Sequence, residues 1–250
     1  VCGKYLRSPF CGQTTIHNPH YSETMIQDNL ASDFHPHMLD RSTSILYQVS
    51  QFLESTKGVD SVLEIGPGRG IFGAIISHLG LSYSSLDGHD GILKPTYHEF
   101  LQDFSRPVKF DAVCAFQVLE HSPLTDLEFL ILKMKLLSNR YLLVSLPWSG
   151  NYMSFWMHIK LWEGVRGRFS NLKLALTLPF PSFFTRRRTR ARPTSVNFLA
   201  GSPQHHWEVG DRMVTKQYLR DLFTKCNLGI VKESHNPKFP YHIFWVLEIR

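Results

Sequence analysis

The stretch VLEIGPGRG, residues 62–70, places three glycines within five positions directly after a short apolar run. This pattern is typical of a buried strand that ends in a tight loop, because glycine adopts positive φ and lets a ligand approach the backbone. The spacing is G-x-G-x-G, formed by Gly66, Gly68 and Gly70. Ile71 stands where the dinucleotide-binding pattern needs its third small residue, so the loop departs from that pattern.

Two acidic residues accompany this loop. Glu64 precedes the first glycine by two positions, and Asp87 closes the next predicted strand about twenty residues further on. A carboxylate beside the turn repels a pyrophosphate but can receive a cationic amine, and one at the second strand can accept hydrogen bonds from both ribose hydroxyls. The residues therefore favour a ligand with a ribose and a cationic amino-acid part over NAD.

Strands and helices alternate along the chain, which predicts an α/β fold with a doubly wound, mostly parallel sheet. The last two predicted strands are joined by a short proline-containing loop and indicate a terminal antiparallel pair. The predicted strands, seven in all, are Ser61–Ile65, Tyr83–Leu86, Tyr97–Leu101, Phe110–Phe116, Tyr141–Leu146, Gly229–Ser234 and His242–Ile249. The predicted helices are Met38–Leu53, Ile71–Leu79, Leu124–Leu137 and Thr215–Cys226.

Four motifs occur in order along this pattern: VLEIGPGRG, LDGHD, FDAVCAFQVLEH and LLVSLP. Together they resemble the motifs of class I S-adenosylmethionine-dependent methyltransferases, and most of all the VLEIGCGxG … VLEH group that includes small-molecule and quinone O-methyltransferases. The resemblance covers roughly residues 60–147 and, more loosely, 213–250. It implies a Rossmann-like methyltransferase fold, S-adenosylmethionine as cofactor, and methyl transfer to an oxygen or nitrogen of a small-molecule acceptor.

The resemblance also implies a role for individual residues by position. The methionine part of the cofactor would be held by Glu64 and the loop, and the ribose by Asp87 with Gly88 beside it. Asp103 would accept from the adenine amine, although an Asp before a turn is also a common cap. The other cofactor contacts that the resemblance implies come from Pro67 in the loop, Phe104 against the adenine ring, and Phe116 and Gln117 beyond the fourth strand.

Three histidines are candidates for the acceptor side. His121 ends the third motif, FDAVCAFQVLEH, where a histidine either caps the next helix or acts as a base towards the acceptor. His205 and His206, in QHHWEVG, either form a packed corner, face the transferred methyl group, act as a base, or complete a metal site. Some related enzymes hold a divalent metal with E-x-x-E-H and a distant histidine. Gln117 occupies the first of those positions here, and hard cations prefer carboxylates, so we expect no metal.

The expected domain plan has an arm and helix at 1–58, a cofactor-binding half at 59–147, a lid insertion at 148–212, and a helix and strand pair at 213–250. The insertion is several times longer than a strand-to-helix connection requires and is expected to form the acceptor pocket. It contains an aromatic stretch with helical spacing, which predicts either a packed lid helix or a membrane-surface helix. The residues of that stretch are Tyr152, Phe155, Trp156, Ile159 and Trp162.

The net charge of +6 is concentrated in this insertion. Nine basic residues against Glu163 alone give +8 between Lys160 and Arg192, which leaves −2 for the rest of the chain. TRRRTRAR predicts either a solvated loop or a patch for nucleic acid or an anionic membrane, through Arg186, Arg187, Arg188, Arg190 and Arg192. Three alternatives therefore stay open: an RNA or protein methyltransferase, a membrane-surface enzyme acting on a lipid or quinone, and a non-catalytic binding module.

The four cysteines, Cys2, Cys11, Cys114 and Cys226, form no CxxC pair and are expected to be reduced thiols. The sequence shows no secretory apolar segment in its first residues. The longest uncharged run, 141–159, is interrupted at its centre by proline, serine, glycine and asparagine and does not predict a membrane span. These features favour a cytoplasmic protein, with peripheral contact to a membrane as the alternative.

Overall fold

The computed structural model describes residues 37–89, 93–149, 152–160, 171–179 and 205–250. The predicted arm at 1–36, Trp162 and the arginines of TRRRTRAR lie outside these residues. The helices are α1 (His37–Ser55), α2 (Ile71–His78), α3 (Leu127–Leu137) and α4 (Lys216–Lys225). The strands are β1 (Ser61–Ile65), β2 (Ser82–Leu86), β3 (Phe110–Phe116), β4 (Ser138–Pro147), β5 (Tyr152–Lys160), β6 (Asn171–Pro179), β7 (Leu228–His235) and β8 (His242–Ile249).

Six of these strands form one sheet, in the order β2-β1-β3-β4-β8-β7. The first four strands are parallel to one another. Strand β8 runs antiparallel to both of its neighbours, β4 and β7. The doubly wound, mostly parallel α/β fold with a terminal antiparallel pair is therefore confirmed.

Each face of this sheet is covered by two of the helices. Successive side chains of a strand point to opposite faces, so neighbouring residues of β1 belong to different parts of the core. Val62 packs in a cluster with residues of α1 and α2, whereas Leu63 packs with residues of α3 and α4. This arrangement leaves the carboxyl ends of β1, β2 and β3 at one edge, where ligands bind in open α/β sheets.

The expected third strand, Tyr97–Leu101, does not form. Tyr97 makes only an isolated bridge with Leu86, so the described sheet has six strands instead of the predicted seven. The backbone turns immediately afterwards, because the carbonyl oxygen of Phe100 accepts hydrogen bonds from the amides of Asp103 and Phe104, both at 3.0 Å. A chain that closes a turn at Phe100 cannot extend along β2.

The prediction of a helix in the aromatic stretch of the insertion is also wrong, because this stretch forms strand β5. Strand β5 pairs with β6 in a separate antiparallel ribbon, from Tyr152 opposite Pro179 to Lys160 opposite Asn171. Aromatic residues favour strands, and a run of nine residues is too short for helical spacing to exclude a strand. The pairing with a second apolar run decides between the two.

None of the described helices is long and apolar enough to cross a membrane. Cys114 and Cys226 are free and buried, while Cys2 and Cys11 lie outside the described residues.

Candidate functional site

The glycine loop has the conformation that its sequence predicts. Gly66, Gly68 and Gly70 have φ values of 64°, 54° and 70°, in the left-handed region that glycine adopts most easily. The amide of Gly66 donates to the carbonyl of Leu86 at 2.9 Å, and that of Gly70 donates to the carbonyl of Pro67 at 2.8 Å. These bonds fix a tight loop between the end of β1 and the start of α2.

Open space lies beside one of these glycines. A Cβ atom built on Gly68 would have no heavy atom within 4 Å among the residues that the structure describes. At Gly70, by contrast, a Cβ would lie 2.7 Å from Cδ2 of Leu93. A left-handed glycine that faces open space is a position where a ligand can come close to the backbone, and Gly68 meets that description.

Asp87 lies beside this loop at the end of the neighbouring strand. Ile65 pairs with Leu86 in the parallel register, so the residues that follow, Gly66 and Asp87, leave the sheet side by side. Oδ1 of Asp87 accepts a 3.0 Å hydrogen bond from the amide of His89, which orients the carboxylate. The structure thus brings together the glycine loop and the carboxylate that the sequence assigns to a ribose.

Gly88, which follows Asp87, packs closely under an aromatic ring. A Cβ at this position would lie 2.5 Å from Cδ1 of Phe100. The close approach accounts for a glycine here by packing, and the predicted cofactor contact of Gly88 stays a prediction.

Glu64 is buried, with 4% of its surface exposed. The hydroxyl of Tyr83 donates a 2.5 Å hydrogen bond to its Oε2. Burial raises the pKa of the Glu64 carboxyl to about 8, and the bond from Tyr83 opposes part of that rise. In this arrangement the carboxyl is engaged by a tyrosine of β2 that sequence reasoning did not identify, and its predicted contact with the methionine amine remains a prediction.

The end of β3 has an unusual backbone at Gln117, whose φ is 58°. Its amide donates to the carbonyl of Ser145 at 3.0 Å, and its Nε2 donates to the hydroxyl of the same serine at 3.2 Å. A non-glycine residue held at positive φ is a strained feature that occurs often at functional sites. Phe116, just before it, packs edge-on against Phe72 of α2, with ring centroids 5.0 Å apart.

The two residues predicted to contact adenine occupy different environments. Asp103 is exposed in the turn that follows Phe100. Phe104 is buried in the core with its ring centroid 5.0 Å from that of Tyr97, and only 2% of its surface is exposed. A ring with so little free surface offers almost no face for stacking, and the predicted contact of Phe104 with adenine stays a prediction.

The histidines that were predicted to lie on the acceptor side are at the same edge of the sheet as the glycine loop, beyond the end of β3. The rings of His121 and His205 face each other edge-on, with centroids 5.1 Å apart. Glu120 lies with them, and ligand-type atoms of all three residues fall within 4.8 Å of one another. His206 is exposed, but its amide donates to the carbonyl of Glu120 at 2.8 Å. We call Glu120, His121 and His205 the glutamate–histidine cluster.

Glu120 is the member of this cluster that the sequence places in the E-x-x-E-H position but that was not among the predicted site residues. It is fully buried, and neither carboxyl oxygen has a hydrogen bond from another residue that the structure describes. Burial raises the pKa of its carboxyl to about 8, with the nearby Glu208 adding to the rise. Its place in the FQVLEH motif, beside His121, is the sequence signal that could have identified it.

A second carboxylate, that of Glu208, contacts His205 of this cluster. Its Oε1 lies 3.1 Å from Nδ1 of His205 and accepts a hydrogen bond from the hydroxyl of Tyr241 at 3.1 Å. A carboxylate on one ring nitrogen of a histidine fixes the orientation and the tautomer of that ring. Glu208 and Tyr241 therefore position His205, and neither role follows from the sequence.

Solved methyltransferase structures share this fold. The S-adenosylhomocysteine-bound magnesium protoporphyrin IX methyltransferase of Synechocystis PCC 6803 is similar over 85% of this chain and 84% of its own, with a TM-score of 0.52 and 13% identity. The 1,6-didemethyltoxoflavin-N1-methyltransferase of Burkholderia thailandensis, with its namesake ligand and S-adenosylhomocysteine bound, covers 95% of this chain and 93% of its own at a TM-score of 0.51 and 11% identity.

A third structure, an S-adenosylmethionine-dependent methyltransferase of Clostridium acetobutylicum ATCC 824, is similar over 90% of this chain and 97% of its own, with a TM-score of 0.51 and 10% identity. No protein-family model and no curated protein matches the chain. At these identities the likeness shows the fold, and the chain has the Rossmann-like fold of class I methyltransferases.

Proposed function

We propose that the protein is an S-adenosylmethionine-dependent methyltransferase that methylates an oxygen or nitrogen of a small-molecule acceptor. The observation that carries the proposal is the pairing of the left-handed loop Gly66–Gly70 with the carboxylate of Asp87 on the adjacent strand. This pairing provides backbone for an amino-acid part and an acceptor for ribose hydroxyls. It occurs in a fold whose solved relatives hold S-adenosylhomocysteine.

The cofactor supplies an activated methyl group on a sulfonium, so the protein mainly has to orient the acceptor and exclude water. A base is required only where the attacking atom carries a proton that must leave. His121 and His205 are the two histidines that we assign to this side of the site, because both belong to the glutamate–histidine cluster beyond the end of β3. His206 is exposed, and we assign it no part in proton transfer.

We infer that segment 148–212 contributes the acceptor pocket, as the predicted domain plan has it. Its described residues include the ribbon β5–β6, which follows β4 directly. Support for a small-molecule acceptor comes from the similar structures named for magnesium protoporphyrin IX and for 1,6-didemethyltoxoflavin. The nucleic-acid and anionic-membrane alternatives rest mainly on the arginines of TRRRTRAR, which lie outside the described residues, and the transfer assay below tests the non-catalytic alternative.

Calorimetry with S-adenosylhomocysteine, using NAD as the comparison ligand, tests the cofactor assignment. We expect S-adenosylhomocysteine to bind in the micromolar range and NAD to give no heat above dilution. Binding of NAD, or failure of S-adenosylhomocysteine to bind, would contradict the proposal.

Transfer of labelled methyl groups from S-adenosylmethionine tests the acceptor class. The protein is incubated separately with small-molecule, RNA, protein and lipid fractions of a cell extract. We expect label in the small-molecule fraction, at a rate lowered by His121→Gln. Label confined to RNA, protein or lipid would favour the corresponding alternative, and cofactor binding without transfer to any fraction would favour a binding module.

A further inference from the structure

The glutamate–histidine cluster has the composition and the spacing of a metal site. A carboxylate oxygen of Glu120 and ring nitrogens of His121 and His205 lie within 4.8 Å of one another. Ligands of one ion at bond lengths of 2.0–2.2 Å are separated by about 3 to 4 Å, so a small side-chain adjustment brings the three atoms into a first coordination shell.

The environment of the Glu120 carboxyl group also points to a bound ion. Its side chain is fully buried, it is directed at two histidines, and neither oxygen is hydrogen-bonded to another residue that the structure describes. Buried carboxyl groups are normally hydrogen-bonded, paired or bound to metal, because an isolated one is costly to desolvate. A cation between Glu120 and the histidines gives this carboxylate the partner that the protein atoms do not supply.

Two hydrogen bonds to backbone carbonyl groups hold the cluster together, although His205 lies far along the chain from Glu120 and His121. The amide of His206 donates to the carbonyl of Glu120 at 2.8 Å, and the indole of Trp207 donates to the carbonyl of Ser122 at 3.0 Å. These two bonds attach the segment that carries His205 to the segment that carries Glu120 and His121. The three candidate ligands are therefore brought together by the fold itself.

We propose that Glu120, His121 and His205 bind a divalent transition-metal ion of the zinc, cobalt or manganese type. Two imidazoles and one carboxylate suit these ions, whereas magnesium and calcium prefer sites built from oxygen. Three protein ligands leave at least one coordination position for water or for an acceptor atom. The contact between Glu208 and His205 is the outer carboxylate–histidine pair that orients a metal ligand.

The ion site stands on its own geometry, and only its place in the reaction rests on the proposed function. Glu120 and His121 come directly after Gln117 at the end of β3, on the edge of the sheet that carries the glycine loop. An ion held there would bind an oxygen or nitrogen of the acceptor and orient it. The proposal replaces the expectation of a metal-free site, which rested on Gln117, because the fold places His205 beside Glu120 and His121 as a third candidate ligand.

Cobalt binding to the full chain tests the proposal directly. The protein is stripped of metal and titrated with Co²⁺, followed by calorimetry and by the visible absorption of the bound ion. The variants are Glu120→Gln and His205→Gln, and the matched control is His206→Gln, which alters the exposed neighbour outside the cluster. We expect the wild type and the control to bind a single Co²⁺ ion, displaced by Zn²⁺ but not by Mg²⁺, and both cluster variants to bind at least about tenfold more weakly.

Equal Co²⁺ affinity in all four proteins, or no Co²⁺ binding by the wild type, would overturn the proposal. Circular dichroism establishes that each variant is folded, and if Glu120→Gln is not, His205→Gln decides because that residue is partly exposed. S-Adenosylhomocysteine calorimetry on the same proteins separates the two proposals. Binding of this ligand without Co²⁺ binding refutes only the ion site, and Co²⁺ binding at the cluster without it refutes only the cofactor assignment.

Discussion

Tyr83 of β2 donates a hydrogen bond of 2.5 Å to Glu64 of β1, and α2, the first helix after the glycine loop, packs against the ring of this tyrosine. Gly73 of α2 is so close to the tyrosine ring that a Cβ there would lie 2.2 Å from Cζ of Tyr83. The position of α2, and with it the end of the glycine loop, therefore depends on two residues that need not contact the ligand.

Tyr83→Phe is expected to lower the free energy of unfolding by about 1 to 3 kcal/mol, because the buried carboxyl of Glu64 loses its hydrogen-bond partner. Urea denaturation at neutral pH measures the change. Tyr218→Phe, at an exposed tyrosine of α4, is the matched control and should have little effect. Equal losses in the two variants would show that the bond between Tyr83 and Glu64 contributes nothing.

The pH dependence of stability should reveal the raised pKa of Glu64. Its carboxyl has a pKa of about 8 in the folded protein and near 4.3 in an unfolded chain, so between these values the folded state holds a proton that the unfolded state releases. This contribution is fully present below about pH 4 and is lost as the pH rises towards 8. Compared with Glu64→Gln, the wild type should lose about 2 to 4 kcal/mol over that interval, and parallel stability curves would contradict the assignment.

Alanine substitutions at two glycines should separate packing from ligand binding. Gly73→Ala forces the ring of Tyr83 to move and should lower stability by about 1 to 3 kcal/mol, the usual range for overpacking. In Gly68→Ala the new methyl group faces open space, so only the φ of 54° disfavours the substitution. We expect the free energy of unfolding to fall by about 1 kcal/mol. The main expected effect of Gly68→Ala is weaker binding of S-adenosylhomocysteine, measured by calorimetry. A Gly68→Ala protein with unchanged affinity would place the ligand elsewhere.

Asp87→Ala should weaken S-adenosylhomocysteine binding by about 2 kcal/mol, or roughly 30-fold, the scale for removing a charged hydrogen-bond partner. The control is Asp221→Ala, which removes an exposed carboxylate of α4 that hydrogen-bonds Gln217. Unchanged affinity in the Asp87 variant would mean that the ribose assignment is incorrect.

His235 should make the protein less stable in acid. Burial, aided by the charge of Lys216, lowers the pKa of this ring to about 4 from its usual value near 6.5. The unfolded chain therefore takes up a proton that the folded ring refuses, and stability is lost as the pH falls from 6.5 to 4. His235→Gln should remove about 1 to 2 kcal/mol of this loss, a figure reduced for the partial exposure of the ring. Thermal unfolding at several pH values measures the difference, and identical slopes would refute the prediction.

The glycine loop and most of the strands could be predicted because local features specify them. Gly66, Gly68 and Gly70 need positive φ, and Asp87 follows an apolar run, so its place at the sheet edge follows from strand geometry alone. The local sequence around Tyr97 does not determine whether a strand forms there, because strand formation depends on the turn that Phe100 closes. Strand β5 depends on its pairing with β6, which no single-segment pattern reveals.

The remainder of the site depends on contacts between distant parts of the chain. His205 meets Glu120 only because the chain returns to the end of β3 after the insertion. In the same way, the high pKa of Glu64 arises from burial beneath a helix whose packing distance is set by Gly73. The sequence identifies the residue types, but their partners and protonation follow from the tertiary structure.

Strand β8 is the last of the described strands in the chain, yet it lies inside the sheet between β4 and β7. Pro147 at the end of β4 pairs with His242, which is roughly ninety residues later in the chain. Strands β4 and β8 can therefore pair only after that part of the chain is present. Closing so long a loop costs entropy before any pairing rewards it, which slows folding. During synthesis the edge of β4 consequently stays unpaired while the whole insertion emerges, and an unpaired strand edge makes a nascent chain prone to aggregation.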